Sequence, residues 1–106
     1  MNPNNNLWSW KERSIGWSLM GDANRDEAVV LIHGFGANTN HWRFNQPVLG
    51  ELVPTYAIDL LGFGASDQPR ARLKDEPITA DSVHYSFDLW GQQVADFCRE
   101  VIGRPV

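Results

Sequence analysis

A run of five apolar residues leads directly into a glycine-rich loop, and this junction constrains the fold more than any other part of the sequence. Residues 28–32 read AVVLI and residues 33–36 read HGFG. A short, continuous, β-branched run predicts a strand covered on both faces, as in a parallel sheet. A second short strand at 55–59 also precedes a glycine-rich loop, LGFGASD at 61–67. Parallel sheets bind ligands at the carboxyl ends of their strands, which is where both loops are expected to lie.

The flanking segments predict an antiparallel hairpin and a helical connection. Apolar and polar residues alternate at 8–11 and at 15–19, which predicts two strands turning at residues 13–14. A helical stretch follows the first loop and is irregular near Pro47, while residues 68–77 are polar and predict a surface loop. The order hairpin, strand, helix, strand, helix predicts an α/β fold with right-handed parallel crossovers behind an antiparallel edge.

The last predicted element is a helix with clear start and stop signals. Ser86 is a suitable N-cap, Tyr85 and Trp90 are spaced as a hydrophobic staple, and Gly103 predicts the end. Residues at helical spacing predict one apolar face. That face comprises Phe87, Trp90, Val94, Phe97, Cys98 and Val101.

Length and composition predict a single soluble domain. The chain has 106 residues, so it holds one core, with residues 1–6 as a flexible tail and residues 7–106 as the domain. A net charge of −4 gives no reason to expect nucleic acid as a partner, and no segment is long and apolar enough to predict a membrane span. Cys98 is the single cysteine and fits a buried thiol in a reducing, cytoplasmic compartment. Neither a cofactor nor a metal ion is predicted.

The first glycine-rich loop has the residue types that acyl transfer needs. The transition state places negative charge on the former carbonyl oxygen, and preorganised backbone N–H groups stabilise it. Glycines on both sides of Phe35 let the chain turn sharply and direct an N–H at a reacting centre. Segments 31–43 and 59–67 resemble the paired N-terminal signatures of the α/β-hydrolase superfamily. Within it they resemble in particular the pheophytinase-like hydrolases of plants and cyanobacteria, as does segment 90–98.

The resemblance implies roles for six positions. The backbone N–H of Phe35 would be one donor of an oxyanion hole, opposite the N–H that follows the nucleophile. His33 would brace the loop and would not be the histidine of the catalytic triad, while the second loop would shape the floor of the site. The positions implied to shape the site are His33, Gly34, Gly36, Asp59 and Gly62.

The resemblance also implies that this chain is the N-terminal portion of the α/β-hydrolase sheet. In the family the nucleophile, the triad acid and the triad histidine follow the next strand, which is absent here. The complete protein would be a serine hydrolase acting on a small-molecule ester with a bulky or apolar group, in a plastid or in cyanobacterial cytosol. The 106-residue chain alone would be inactive. Residues 28–32 would be left as an unpaired edge, so the isolated chain is expected to self-associate.

Four other functions remain as alternatives. Epoxide hydrolases usually carry H-G-x-P, where this chain has Gly36, and haloalkane dehalogenases usually place asparagine where it has Phe35. A nucleotide-binding module would use Gly34-x-Gly36 and Asp59, but Thr39 stands at its third glycine. A non-catalytic scaffold or remnant of the fold is the fourth alternative.

Two serines lie in incomplete copies of the nucleophile motif G-x-S-x-G. Ser18 is followed by Met20 and Ser66 by Gln68 where the second glycine belongs. The sequence therefore favours a strand residue and a loop cap at these two positions, and no nucleophile.

Overall fold

Four strands form one mixed sheet in the computed structural model, which describes residues 4–106. They are β1 (Asn4–Trp10), β2 (Arg13–Met20), β3 (Val29–Ile32) and β4 (Thr55–Ile58), in the spatial order β1-β2-β4-β3. The β3–β4 pair is parallel, whereas β1–β2 and β2–β4 are antiparallel. The predicted α/β sheet with an antiparallel edge is therefore confirmed.

The hairpin turns two residues earlier than the sequence predicted. Lys11 and Glu12 form the turn, with φ values of 49° and 64°. Positive φ at both central residues is typical of a type I′ turn, whose twist matches that of the flanking strands. Trp10 therefore pairs directly with Arg13, and the expected turn at residues 13–14 is wrong because both residues already belong to β2.

The first strand extends into the predicted tail. Its pairs include Asn4 with Leu19 and Asn6 with Trp17, so residues 4–6 are hydrogen-bonded sheet and not a flexible segment. Backbone pairing with β2 outweighs the weak strand propensity of asparagine. The tail prediction for residues 1–3 lies outside the described residues.

The strand that the sequence predicted to be covered on both faces is less buried than its parallel neighbour. All four residues of β4 are buried, whereas β3 is only half-buried and Ile32 is 43% exposed. The reason is that β3 is an edge strand and β4 lies between two neighbours. No strand among residues 4–106 pairs with the outer edge of β3, and just before β3 the Ala28 N–H donates to the Pro105 carbonyl at 2.9 Å. Self-association through this edge stays a prediction.

Short helical and extended segments connect the sheet to its loops. After β3 come a 3₁₀ turn (Thr39–Trp42) and a short helix α1 (Gln46–Gly50), with Pro47 in its first turn as predicted. The polar segment after β4 contains a small parallel pair, β5 (Arg70–Ala71) and β6 (Ser82–Val83). β5 is exposed, so the predicted surface loop keeps its position but carries a short strand.

Helix α2 (Phe87–Phe97) begins and ends as the sequence predicts. The Ser86 hydroxyl accepts from the Leu89 N–H at 3.1 Å, and the Tyr85 and Trp90 rings pack at 5.9 Å. One π-helical turn (Cys98–Ile102) extends the helix. Gly103 ends it with a φ of 66°, donating its N–H to the Cys98 carbonyl at 2.8 Å.

The buried face of α2 differs from the predicted face at its first turn. Phe87 is 90% exposed, while the polar Gln93 and Asp96 are buried. Phe97 is fully buried at the centre of an aromatic cluster. Its ring lies 5.5 Å from Trp8, 5.8 Å from Trp17 and 6.1 Å from Tyr56. Within residues 4–106, no helix is long and apolar enough to cross a bilayer.

The Asp96 carboxylate joins α2 to the hairpin and generates a prediction about acid stability. Trp10 Nε1–H donates to it at 2.8 Å, and Gln92 and Arg99 also donate. The Trp10 hydrogen bond, followed by those of Arg99 and Gln92, holds the pKa of Asp96 below its ordinary value. A carboxyl group whose pKa is lowered by folding stabilises the fold above its unfolded pKa and ceases to do so as pH falls through its folded pKa.

We therefore expect Asp96→Asn to lower the free energy of unfolding at pH 7, with the deficit shrinking as pH falls below about 4. Urea unfolding of both proteins at pH 7 and pH 3 measures this difference. A deficit that is equally large at both pH values would contradict the assignment.

Candidate functional site

The first glycine-rich loop closes as a tight turn at the carboxyl end of β3. The Ala37 N–H donates to the Gly34 carbonyl at 3.1 Å, and Gly36 has a φ of 80°, as the third residue of a type II turn requires. The Phe35 side chain is 90% exposed. Within residues 4–106 the backbone N–H of Phe35 donates no hydrogen bond. The turn therefore presents a free donor at the end of the strand.

His33 fixes this turn to the second loop. It is buried, and its Nε2 accepts from the Leu60 N–H at 3.0 Å. Because Nε2 is an acceptor, the proton of the neutral ring is on Nδ1, which donates to the Gly34 carbonyl at 2.8 Å. Both ring nitrogens are therefore hydrogen-bonded, Nδ1 within the first loop and Nε2 to the start of the second.

Asp59 holds both loops through backbone N–H groups. The residue is 3% exposed and directly follows β4. Its Oδ1 accepts from the Thr39 N–H at 2.7 Å, and its Oδ2 accepts from the Ala65 N–H at 3.0 Å. Each carboxylate oxygen thus ties a different loop to the end of the central strand.

Glycines make room for this carboxylate. A Cβ on Gly64 would lie 2.4 Å from the Asp59 Cγ, and a Cβ on Gly16 would lie 3.1 Å from its Oδ2. Gly62 has a φ of 95°, and a Cβ there would lie 2.9 Å from the Tyr85 ring. A side chain at any of these three glycines would meet Asp59 or Tyr85, and the sequence analysis did not single out Gly16 or Gly64.

The second loop is also held by two residues of α2. Gln93 is fully buried, accepting from the Leu61 N–H at 2.9 Å and donating to the Asp59 carbonyl at 3.2 Å. Trp90 Nε1–H donates to the Leu61 carbonyl at 3.0 Å. Gln93 lies three residues after Trp90 and four before Phe97. That spacing places it on the apolar face and was the signal that could have revealed its role.

The serines of the two incomplete motifs have structural roles. Ser18 is buried and hydrogen-bonds with Gln46, while the Ser66 hydroxyl donates to the Asp59 carbonyl at 2.6 Å. Within residues 4–106, no serine hydroxyl is hydrogen-bonded to a histidine ring. The arrangement needed to activate a serine is therefore absent from the described part of the chain.

Among the described residues, neither the Cys98 thiol nor a cluster of metal-ligating side chains adds a reactive group to the site. Burial raises the pKa of the Cys98 thiol, which disfavours the reactive thiolate. The described residues contain no group of three or more histidine, cysteine, aspartate and glutamate side chains arranged to hold a metal ion. A cleft of about 760 Å³ is lined by residues of the hairpin and of both loops, including Gly16, Thr39, Asp59 and Gly64.

The sequence profile of the alpha/beta hydrolase family matches residues 29–106, from β3 to the end of the chain. The chain belongs to the alpha/beta hydrolase family. The match includes both glycine-rich loops, so the site described above is part of the region that the family shares.

Curated relatives within the family differ in their activities. The chain is 32% identical to chloroplastic pheophytinase of Arabidopsis thaliana over 118 residues, covering 92% of this chain and 24% of that protein. It is 45% identical over 56 residues to a 1-acylglycerol-3-phosphate O-acyltransferase of Rattus norvegicus (51% and 16% covered). It is 43% identical over 75 residues to epoxide hydrolase 3 of Xenopus tropicalis (71% and 18% covered). The chain therefore spans less than a quarter of the length of each.

Solved structures confirm the fold. A membrane phospholipase A superimposes with a TM-score of 0.77 at 24% identity, covering 93% of this chain and 28% of that one. A haloalkane dehalogenase from Bradyrhizobium elkanii superimposes with a TM-score of 0.77 at 17% identity, covering 95% and 29%. At these identities the likeness shows the shared architecture and leaves the reaction open.

The two hydrogen bonds to Asp59 generate a prediction about how the loops are held. Asparagine has a single carbonyl oxygen, so Asp59→Asn can keep only one of the bonds from Thr39 and Ala65. The other N–H would face the amide NH₂, and a buried donor left unpaired costs about 1–3 kcal/mol. We expect that loss in urea unfolding, together with faster hydrogen exchange of one of the two amides.

Asp67→Asn is the matched control, because Asp67 Oδ2 accepts a single bond, from the Ser14 N–H at 2.8 Å, which an asparagine oxygen can replace. Equal stability of the two variants would show that Asp59 does not brace the loops.

Proposed function

We propose that this chain supplies one half of the oxyanion hole of a serine hydrolase, through the backbone N–H of Phe35. The observation that carries the proposal is the turn at Gly34–Ala37, whose Phe35 N–H is unpaired within residues 4–106 while His33 and Asp59 hold the turn in place. A preorganised donor stabilises developing charge without the cost of reorientation during the reaction.

The serine and its activating histidine would lie outside residues 4–106. Attack by the serine oxygen on the ester carbonyl carbon would form a tetrahedral intermediate, with the hydroxyl proton passing to the histidine. The negative charge that develops on the carbonyl oxygen would be received by Phe35 N–H and a second donor. Collapse would expel the alcohol, which takes up the proton from the histidine, and water would later release the acid.

Two residues of the turn favour an ester as substrate over the alternatives within the family. Gly36 stands where epoxide hydrolases usually carry proline, and Phe35 stands where haloalkane dehalogenases usually carry asparagine. Pheophytinase is among the relatives. We propose an ester with a bulky or apolar group, which fits the exposed Phe35 ring beside the donor.

The oxyanion donor can be tested in an active protein that contains this segment. Phe35→Pro removes the N–H, because proline has no amide hydrogen. Loss of one oxyanion donor lowers kcat by about 10²–10³, or roughly 3–4 kcal/mol of transition-state stabilisation. We expect that loss in steady-state kinetics with a chromogenic ester.

Phe35→Ala is the control, because it keeps the N–H and should keep kcat while weakening binding of an apolar substrate. Wild-type kcat in a folded Phe35→Pro variant would contradict the assignment.

The 106-residue chain by itself should be inactive, since one donor without an activated nucleophile gives little catalysis. We expect p-nitrophenyl ester hydrolysis no faster than with a control protein of equal histidine content. Stoichiometric labelling of one serine by a fluorophosphonate probe would show that a nucleophile exists within the chain.

A further inference from the structure

We propose that four aromatic side chains beginning at Phe35 bind the long apolar arm of the ester. These side chains, here called the aromatic ridge, are Phe35, Phe63, Trp90 and Phe87. The inference rests on the proposed function and extends it, because it assigns the substrate class to esters of extended apolar acids and assigns binding to residues of α2.

The four rings form an unbroken series. The ring centroids of Phe35 and Phe63 lie 5.4 Å apart, those of Phe63 and Trp90 lie 6.0 Å apart, and those of Trp90 and Phe87 lie 6.3 Å apart. Each separation is within the range of direct aromatic packing. The ridge therefore joins the first loop to the second loop and the second loop to the first turn of α2.

Both ends of the ridge are open to solvent. Phe35 and Phe87 are each 90% exposed, whereas Phe63 and Trp90 are half-buried. The one polar group of these four side chains is the Trp90 indole N–H, which is already bonded to the Leu61 carbonyl. The ridge therefore offers a ligand apolar surface and no side-chain hydrogen bond. Continuous exposed apolar surface of this kind is typical of binding sites.

Folding of the described chain does not account for Phe87. The buried residues of α2 are Gln93, Asp96 and Phe97, all beyond its first turn. Phe87 instead projects into solvent from the first turn, where its ring touches Trp90. Phe87 therefore packs on Trp90 and leaves most of its ring exposed, as a side chain that contacts a ligand would.

The position of the ridge indicates which part of a substrate it would receive. Phe35 supplies both the proposed donor and the first ring, so an ester carbonyl at the N–H lies close to the ridge, and we assign the ridge to the acyl chain bonded to that carbonyl carbon. A group longer than acetyl then continues over Phe63 and Trp90 toward Phe87. Because each step of the ridge covers about 6 Å, only an extended arm can reach its far end.

Photolabelling of the 106-residue chain tests the ridge at submicromolar concentration. The probe is the methyl ester of hexadecanoic acid with a diazirine at the end of its chain, and labelled residues are located by mass spectrometry. We expect labelling at Phe87 and its neighbours. Methyl hexanoate and methyl octanoate should compete with a preference of roughly fourfold for each added CH₂.

Two variants separate the ridge from other apolar surface. Phe87→Ala should raise the probe concentration needed for half-maximal labelling by about tenfold, since it removes a ring at the far end. Phe44→Ala is the matched control, because Phe44 is 75% exposed and lies outside the ridge. Equal labelling of the two variants, labelling confined to other surfaces, or competition that is independent of chain length would overturn the proposal.

A second competition separates the ridge from the oxyanion donor. A methyl ether with the same chain as methyl octanoate keeps the apolar arm and loses the carbonyl that Phe35 N–H would bind. Weaker competition by the ether supports both assignments. Equal competition, with labelling still lost in Phe87→Ala, supports the ridge and contradicts Phe35 as the donor.

Discussion

The geometry of the site depends on a buried carboxylate that accepts hydrogen bonds from two loops. Asp59 leaves the end of β4 and receives one N–H from the first loop, at Thr39, and one from the second, at Ala65. Hydrogen bonds to a carboxylate are stronger than those between neutral groups. Both bonds come from backbone N–H groups, so the Asp59 carboxylate uses no loop side chain to hold the two loops. It also accounts for Gly64, since any Cβ at that position would overlap the carboxylate.

The aromatic core holds α2 against the sheet, and α2 in turn holds the second loop. Phe97 packs against Trp8 and Trp17 of the hairpin and so presses α2 onto the sheet. In this position of α2, Gln93 accepts a hydrogen bond from the Leu61 N–H, and Trp90 donates one to the Leu61 carbonyl. The second loop is therefore held from the strand by Asp59 and from the helix by two side chains. A loop restrained on both sides can keep a neighbouring donor in position, as electrostatic preorganisation requires.

The sequence predicted those parts of the fold whose signals are local. The strand that runs into HGFG, the Ser86 cap and the Gly103 stop each depend on a few adjacent residues, and each is found where predicted. Features that depend on distant partners were missed. Gln93 appears as a polar interruption until Leu61 is known to meet it. Phe87 follows the helical period of the apolar face, but its side chain is 90% exposed. The position of the hairpin turn was missed because Lys11 and Glu12 are unusual residues for positive φ.

The open edge of β3 bears on where a second oxyanion donor would have to be. The Ala28 N–H, just before β3, already donates to the Pro105 carbonyl. The backbone near residue 105 therefore meets this edge at the start of β3. A strand pairing in parallel there would run the length of β3 and end beside the turn that carries Phe35. Its first residues after the sheet would then lie near the Phe35 turn, on the side of β3 opposite β4. The open edge of β3 is therefore the place where the second donor of the proposed oxyanion hole would lie beside the Phe35 N–H.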